Sequence, residues 1–202
     1  MPGVALALFL LYLAVAFGWR TWRQIRLTGS TGFHGISGTP ATAEWWGGAL
    51  FVVALGGGLA APALQLAGTL EPVSVLDHDV VTASGAVLAA VGIALTVLAQ
   101  VAMGTAWRIG VNDTDRTALV TGGLFGLVRN PVFTAMIMTA AGLALLAPNA
   151  IAVLAVAVLV IAIELQVRVT EEPYLARVHG DAYGDYVARV GRLVPLAGRA
   201  RR

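Results

Sequence analysis

The residues best equipped for chemistry fall in two polar stretches set against long apolar sequence. The first is Gly122–Phe133, read Gly-Gly-Leu-Phe-Gly-Leu-Val-Arg-Asn-Pro-Val-Phe. Asn130 followed by Pro131 has the form of a helix start, a residue whose side chain can cap and then a proline at the first helical position. A polar loop carrying Gly122, Gly123, Leu124, Phe125 and Val128 into such a start offers backbone N–H groups to an anion. Arg129 adds a cation at the same mouth. The second stretch begins at Glu164, an ionisable residue inside an apolar segment, where a charge is costly and faces a partner or a polar cavity. Arg168 and Glu171 follow at helical spacing and share its face. Two readings stand: a self-contained Glu164–Arg168 ion pair, or the polar wall of a site. Glu171 and Glu172 then form a carboxylate pair, and Tyr183 and Tyr186 share one helix face.

A glycine turn, a helix N-terminus, a carboxylate pair and two tyrosines suit a cofactor with an anionic group, hydroxyls and a flat ring. A methionyl carboxylate, ribose and adenine fit that description, and so do several nucleotides. Gly123-Leu124-Phe125-Gly126 is not a dinucleotide fingerprint, because no strand precedes it and no strand–helix alternation surrounds it. Trp107-Arg108 reads either as an interfacial aromatic with its anchor or as part of the site.

A membrane scaffold must position these residues. The chain has 202 residues, 58% hydrophobic and only 12% charged, against about a quarter charged in soluble domains. There is no cysteine, which removes disulfides, thiolate metal ligands and a cysteine nucleophile. A net charge of +2 is too small to suggest nucleic acid, and no metal-ligand pattern is visible. The expected fold is all-α, an integral membrane protein with five transmembrane helices and a short cytoplasmic helical C-terminal cap. The spans fall at roughly 3–18, 45–67, 80–103, 131–147 and 150–169, each set against about 30 Å of hydrocarbon. The first lacks the basic start and small-residue cleavage pattern of a secretory signal and is expected to be retained.

Residues 1–103 hold three helices with their loops, and residues 104–202 hold the site loop, a helical pair joined at Pro148-Asn149, and the cap. A tight antiparallel hairpin is expected at that joint, and Thr170-Glu171-Glu172-Pro173 is expected to end the fifth helix. Gly180-Asp181 should then break the cap into two short helices. Trp19, Trp22, Trp45 and Trp46 fit an aromatic belt, the Gly56-Gly57-Gly58 run invites close helix approach, and Pro62 is a candidate kink. His34 and His78 read as ordinary loop histidines. All 13 basic residues are arginines, and with five spans every one falls on one side, opposite Glu71, Asp77 and Asp79. The positive-inside rule then puts the N-terminus outside and the C-terminus in the cytoplasm of a cell inner membrane.

The two polar stretches resemble the isoprenylcysteine carboxyl methyltransferase and phospholipid methyltransferase group of integral membrane enzymes. The residues that carry the resemblance, in order, are Gly123, Val128, Arg129, Pro131, Glu171, Glu172, Leu175, Gly180, Tyr183, Tyr186 and Pro195. Asn130 stands where that group often has His, Phe125 and Phe133 replace tyrosines, and Leu124 replaces a proline. The resemblance implies S-adenosylmethionine bound from the cytosol by the loop Gly122–Pro131 with Glu171, Glu172, Tyr183 and Tyr186. It implies a lipophilic or small acceptor entering from the membrane lipids, faced by Glu164, Arg168 and Arg129. Methyl transfer by in-line displacement draws most of its rate from positioning. A hydroxyl acceptor would need a base, for which Glu164 is the candidate. The rival readings are an NADPH-dependent membrane reductase of the sterol-reductase type and a non-catalytic membrane subunit or transporter.

Overall fold

The computed structural model describes residues 1–33, 35–36, 38–110 and 118–199; His34 and Arg116 lie outside the described residues. Every extended element in them is helical, with two isolated β-bridges. Helix α1 (Pro2–Leu13) passes through a π turn at Ala14–Trp19 into α2 (Arg20–Thr28). The first apolar segment therefore does not stop at Gly18 but runs on to Gly29, whose left-handed φ of 76° closes the helix. The extension is held by burial of its polar side chains. Arg20 and Gln24, one turn apart, are both buried and grip the main-chain oxygens of Gly104 and Thr105.

Thr42 caps α3 (Ala43–Leu66) by accepting from the Trp45 N–H, and α3 continues through Pro62. Helix α4 (Asp79–Met103) ends in a 3₁₀ turn at Gly104–Ala106. Helices α5 (Pro131–Leu146) and α6 (Ala150–Leu165) follow. Asn149 starts α6: its Oδ1 accepts from Ala152 N–H at 3.0 Å while its Nδ2 donates to Ala61 O and Gln65 Oε1. Although α5 and α6 touch, α5 packs chiefly on α4 and α6 chiefly on α3. The joint between α5 and α6 is as short as expected, and the larger packing surfaces go to α4 and α3, where the glycines lie. A Cβ at Gly142 on α5 would sit 2.3 Å from Ala89 N on α4, and one at Gly57 on α3 would sit 3.0 Å from Ala155 Cβ on α6. Gly56, by contrast, meets nothing within 4 Å.

The expected helix end at Thr170–Pro173 is absent. A π turn at Gln166–Glu171 carries α6 straight into α7 (Glu172–Arg189), where Pro173 occupies the first turn. Proline is tolerated there because its missing N–H belongs to a position whose usual hydrogen bond the turn already disrupts. Gly180, at φ 51° and ψ −127°, breaks α7 as expected. Among the described residues, four helices are long and apolar enough to cross a membrane: Pro2–Thr28, Ala43–Leu66, Asp79–Ala106 and Ala150–Arg189. Pro131–Leu146, with 16 residues, spans about 24 Å at 1.5 Å per residue and is the short member. The helical run Ala150–Arg189 has 40 residues, of which the 30 before the break at Gly180 rise about 45 Å. The stretch before Arg168 already rises about 27 Å, so the polar part from Arg168 onward exceeds the length that a span requires.

Candidate active site

The loop from Gly122 and the end of α7 are stitched together main chain to main chain. Arg129 N–H donates to Gly191 O at 2.8 Å and Asn130 N–H to Arg192 O at 3.1 Å. Arg129 then fixes the side chains. It is 6% exposed, and its Nη1 donates to Val190 O at 2.7 Å and Gly198 O at 3.2 Å. Its Nη2 donates to Glu172 Oε1 at 2.6 Å. Arg192 closes the same carboxylate from the other side with two bonds of 2.8 Å. Burial would raise the Glu172 carboxyl, but these two guanidiniums hold it below the usual carboxylate range. The Arg129–Glu172–Arg192 triad is therefore a clamp that ties the residue 190–198 segment to the start of α5.

Beside the clamp opens a cavity of about 390 Å³, within the roughly 300–1,000 Å³ range of cofactor sites. Phe125, Arg129, Asn130, Pro131, Glu171, Tyr183 and Tyr186 all contribute to its wall. Tyr186 is 3% exposed and its hydroxyl donates to Phe125 O at 2.6 Å, which fastens the 3₁₀ turn Gly123–Gly126. The Tyr183 ring lies 6.3 Å from that of Tyr186. Burial, with Glu172 nearby, pushes the Tyr183 hydroxyl up to about 12, so it remains a hydrogen-bond donor at neutral pH. Glu171 is the single carboxylate among the described residues of the wall. Burial pushes it up to about 7, against the pull of Arg108 and with a push from Glu172. A carboxyl so placed favours a cationic partner.

Several expected site residues are elsewhere. Gly122 and Gly123 are exposed and, with Leu124 and Val128, do not line the cavity. Asn130 does not cap α5; its Nδ2 donates to Arg192 O at 3.2 Å. That leaves the first N–H groups of α5 without a side-chain cap at the cavity wall. Glu164 and Arg168 pair with each other, with Arg168 59% exposed at its side chain, and neither is in the wall. The helix turns both away from the cavity that Glu171 enters, and Glu164 also acts at longer range on Arg192 of the clamp.

Other contributors include Trp107 and Arg108, for which the sequence left the site reading open, and Tyr174 and Gln100, which it did not single out as site residues. Tyr174, 1% exposed, lies in the wall with Arg108, whose guanidinium sits 4.7 Å from its ring. Trp107 is buried rather than an interfacial belt residue, with Arg20 4.6 Å from its ring. Gln100, from the apolar α4, is 1% exposed and reaches the wall. The π turn explains its placement. Arg20 N–H bonds to Val15 O and Phe17 O rather than to Ala16 O, which releases Ala16 O to accept from Gln100 Nε2 at 2.9 Å. Gln in an apolar helix was a signal, but its partner depended on a π turn that sequence does not announce.

Beyond Gln100 the wall becomes apolar, through Phe17, Phe51, Val52, Leu55 and Met136 between the helices. No metal-binding group of His, Asp and Glu occurs among the described residues. The phospholipid methyltransferase family model matches residues 80–182, from the start of α4 to the kinked part of α7, and so takes in Gln100, Arg129, Asn130 and Glu171 of the cavity wall. No curated protein matches the chain. With half of its length under that model, the chain belongs to the phospholipid methyltransferase family.

Proposed function

We propose that the protein transfers a methyl group from S-adenosylmethionine to a lipophilic acceptor at the cytoplasmic membrane interface. The observation that carries this reading is one cavity with two chemically different ends. Its polar end offers Glu171, Asn130, Tyr183 and Tyr186; its other end is lined by Phe17, Phe51, Leu55 and Met136. A zwitterionic methionyl group fits the polar end, with its ammonium toward Glu171 and its carboxylate toward the uncapped start of α5. Phe125 and the two tyrosines supply flat apolar surface for adenosine, and Tyr183 supplies a hydroxyl donor.

The bound sulfonium supplies an activated methyl group. The chain's own contribution is positional: the Arg129–Glu172–Arg192 clamp fixes the start of α5, and the Tyr186–Phe125 bond fixes the turn before it. The apolar half excludes water from an acceptor atom held there. The arginine distribution supports five spans with α5 as the short one, a cytoplasmic C-terminus and an inner-membrane location. The reductase reading is weaker, since the arginines beside the cavity are engaged: Arg129 and Arg192 by Glu172, and Arg108 over Tyr174.

Purified protein incubated with lipid extract and methyl-tritiated S-adenosylmethionine tests the proposal. Label that enters the organic phase and is lost in Glu171→Gln is expected. Transfer only to water-soluble compounds, or none at all, would overturn it.

A further inference from the structure

The first helical run carries positive charge that no acidic residue answers. Arg20, Arg23 and Arg26 all precede the first acidic residue of the sequence, Glu44. Pro2–Thr28 has 27 residues and rises about 40 Å, about 10 Å more than the hydrocarbon requires. That excess is about seven residues, so the stretch 22–28 reaches the level of the lipid headgroups. Arg20 and Gln24 are committed inward, to the main-chain oxygens of Gly104 and Thr105, which keeps α2 from rolling about its axis.

Trp19, Trp22, Arg23 and Arg26 follow one another at i, i+3, i+4 and i+7 and share a different face of the same helix. Both indoles are exposed. The Arg23 guanidinium lies 5.9 Å from the Trp19 ring and that of Arg26 5.4 Å from the Trp22 ring, within cation–π reach. Among the described residues no carboxylate pairs with either arginine, and Arg23 Nη1 has no hydrogen-bond acceptor. A guanidinium over an indole keeps the N–H groups of its rim for oxygen acceptors. None of these four residues lines the main cavity, so the face stands apart from the candidate active site.

We propose that this face binds the phosphodiester of an anionic phospholipid, with Arg23 and Arg26 donating to its oxygens and the two indoles packed against the glycerol end of its chains. A lipid fits better than a soluble anion because the indoles present apolar surface at headgroup depth, which a free phosphate would leave uncovered. The headgroup is anionic because a phosphate with an attached ammonium carries its own counter-charge. Two planar forks side by side also suit phosphate oxygens in a way that two lysines would not. The inference needs the membrane but not the methyl-transfer reading.

The test uses the full chain in micelles holding equal phosphatidylglycerol and phosphatidylcholine, with retained lipid counted by native mass spectrometry. Wild type should retain phosphatidylglycerol in clear preference. Each arginine near a charged headgroup contributes about fivefold, so Arg23→Gln/Arg26→Gln should lower the ratio by up to about 25-fold. Arg23→Lys/Arg26→Lys, which keeps the charge and loses the forks, should lower it several-fold, and so should Trp22→Leu, which keeps both arginines. Arg189→Gln, at an exposed arginine on α7, should leave the ratio unchanged, and millimolar inorganic phosphate should not displace the lipid. A ratio unmoved by the glutamine pair, or lowered as far by Arg189→Gln, would overturn the proposal. Full preference in the lysine pair would overturn it in favour of diffuse charge, and displacement by phosphate would overturn it in favour of a soluble anion.

Discussion

Removing one member of the arginine–glutamate clamp should unfasten the C-terminal segment and the site together. In Glu172→Ala, Arg129 keeps its main-chain acceptors but loses its counter-charge while remaining buried, its side chain 2% exposed. Breaking a buried pair in this way costs about 3–5 kcal/mol. Arg192, 18% exposed at its side chain, can turn to solvent, so the low end of that range applies, about 3 kcal/mol. The measurement is reversible unfolding in mixed detergent micelles, applied to Glu172→Ala, Arg129→Ala and the double variant. Since each single change already breaks the pair, the double variant should lose much less than the sum, with a coupling of at least about 1 kcal/mol. Additive losses would refute the clamp. The pH dependence follows from the same geometry. A carboxyl held below its ordinary value of 4.5 contributes stability that is complete above that value. It is lost as pH falls through the lowered folded-state value. Wild type should therefore lose stability on acidification below 4.5 more steeply than Glu172→Ala.

Five further outcomes are expected. Gly142→Ala should destabilise by about 1–3 kcal/mol, since its Cβ would press on the α4 backbone. Gly56→Ala, with open space around it, should be neutral or gain up to about 1 kcal/mol; unfolding titrations check both. Tyr186→Phe removes the bond to Phe125 O and should cost about 1–2 kcal/mol, with weaker S-adenosylhomocysteine binding in calorimetry. Glu164→Gln should change stability by less than about 1 kcal/mol and leave methyl transfer intact, as expected of an exposed pair. Because burial pushes the Glu171 carboxyl up to about 7 and it would bind an ammonium as the anion, affinity for S-adenosylhomocysteine should fall below pH 7 by up to about tenfold per unit. Glu171→Gln should abolish that pH dependence.

The sequence made the helices legible wherever apolar length or a local signal decided the matter. Pro131 opens α5, Pro148-Asn149 separates α5 from α6 and Gly180 breaks α7, because each rests on the chemistry of one or two neighbouring residues. The clustering of Glu171, Tyr183 and Tyr186 with Phe125 and Asn130 was also readable, as it follows from two ordered stretches. What was hidden depended on rotation. Glu164 and Glu171 share an ideal helix face, but the π turn at Gln166–Glu171 re-phases the helix between them. One residue faces outward to Arg168 and the other enters the cavity. The π turn at Ala14–Trp19 likewise frees the carbonyl that orients Gln100. Arg20, which the sequence placed only among the arginines of one side, is fully buried beneath Trp107, a tertiary contact with no local signature.

The central claim is that the polar end of the cavity receives S-adenosylmethionine. Calorimetric titration of the detergent-purified protein with S-adenosylhomocysteine, with NADPH as comparator, tests it most directly. Micromolar binding of S-adenosylhomocysteine, weakened in Glu171→Gln and Tyr186→Phe and unaffected in Glu164→Gln, is the predicted result. Binding of NADPH instead, or S-adenosylhomocysteine binding indifferent to Glu171 and Tyr186, would contradict it.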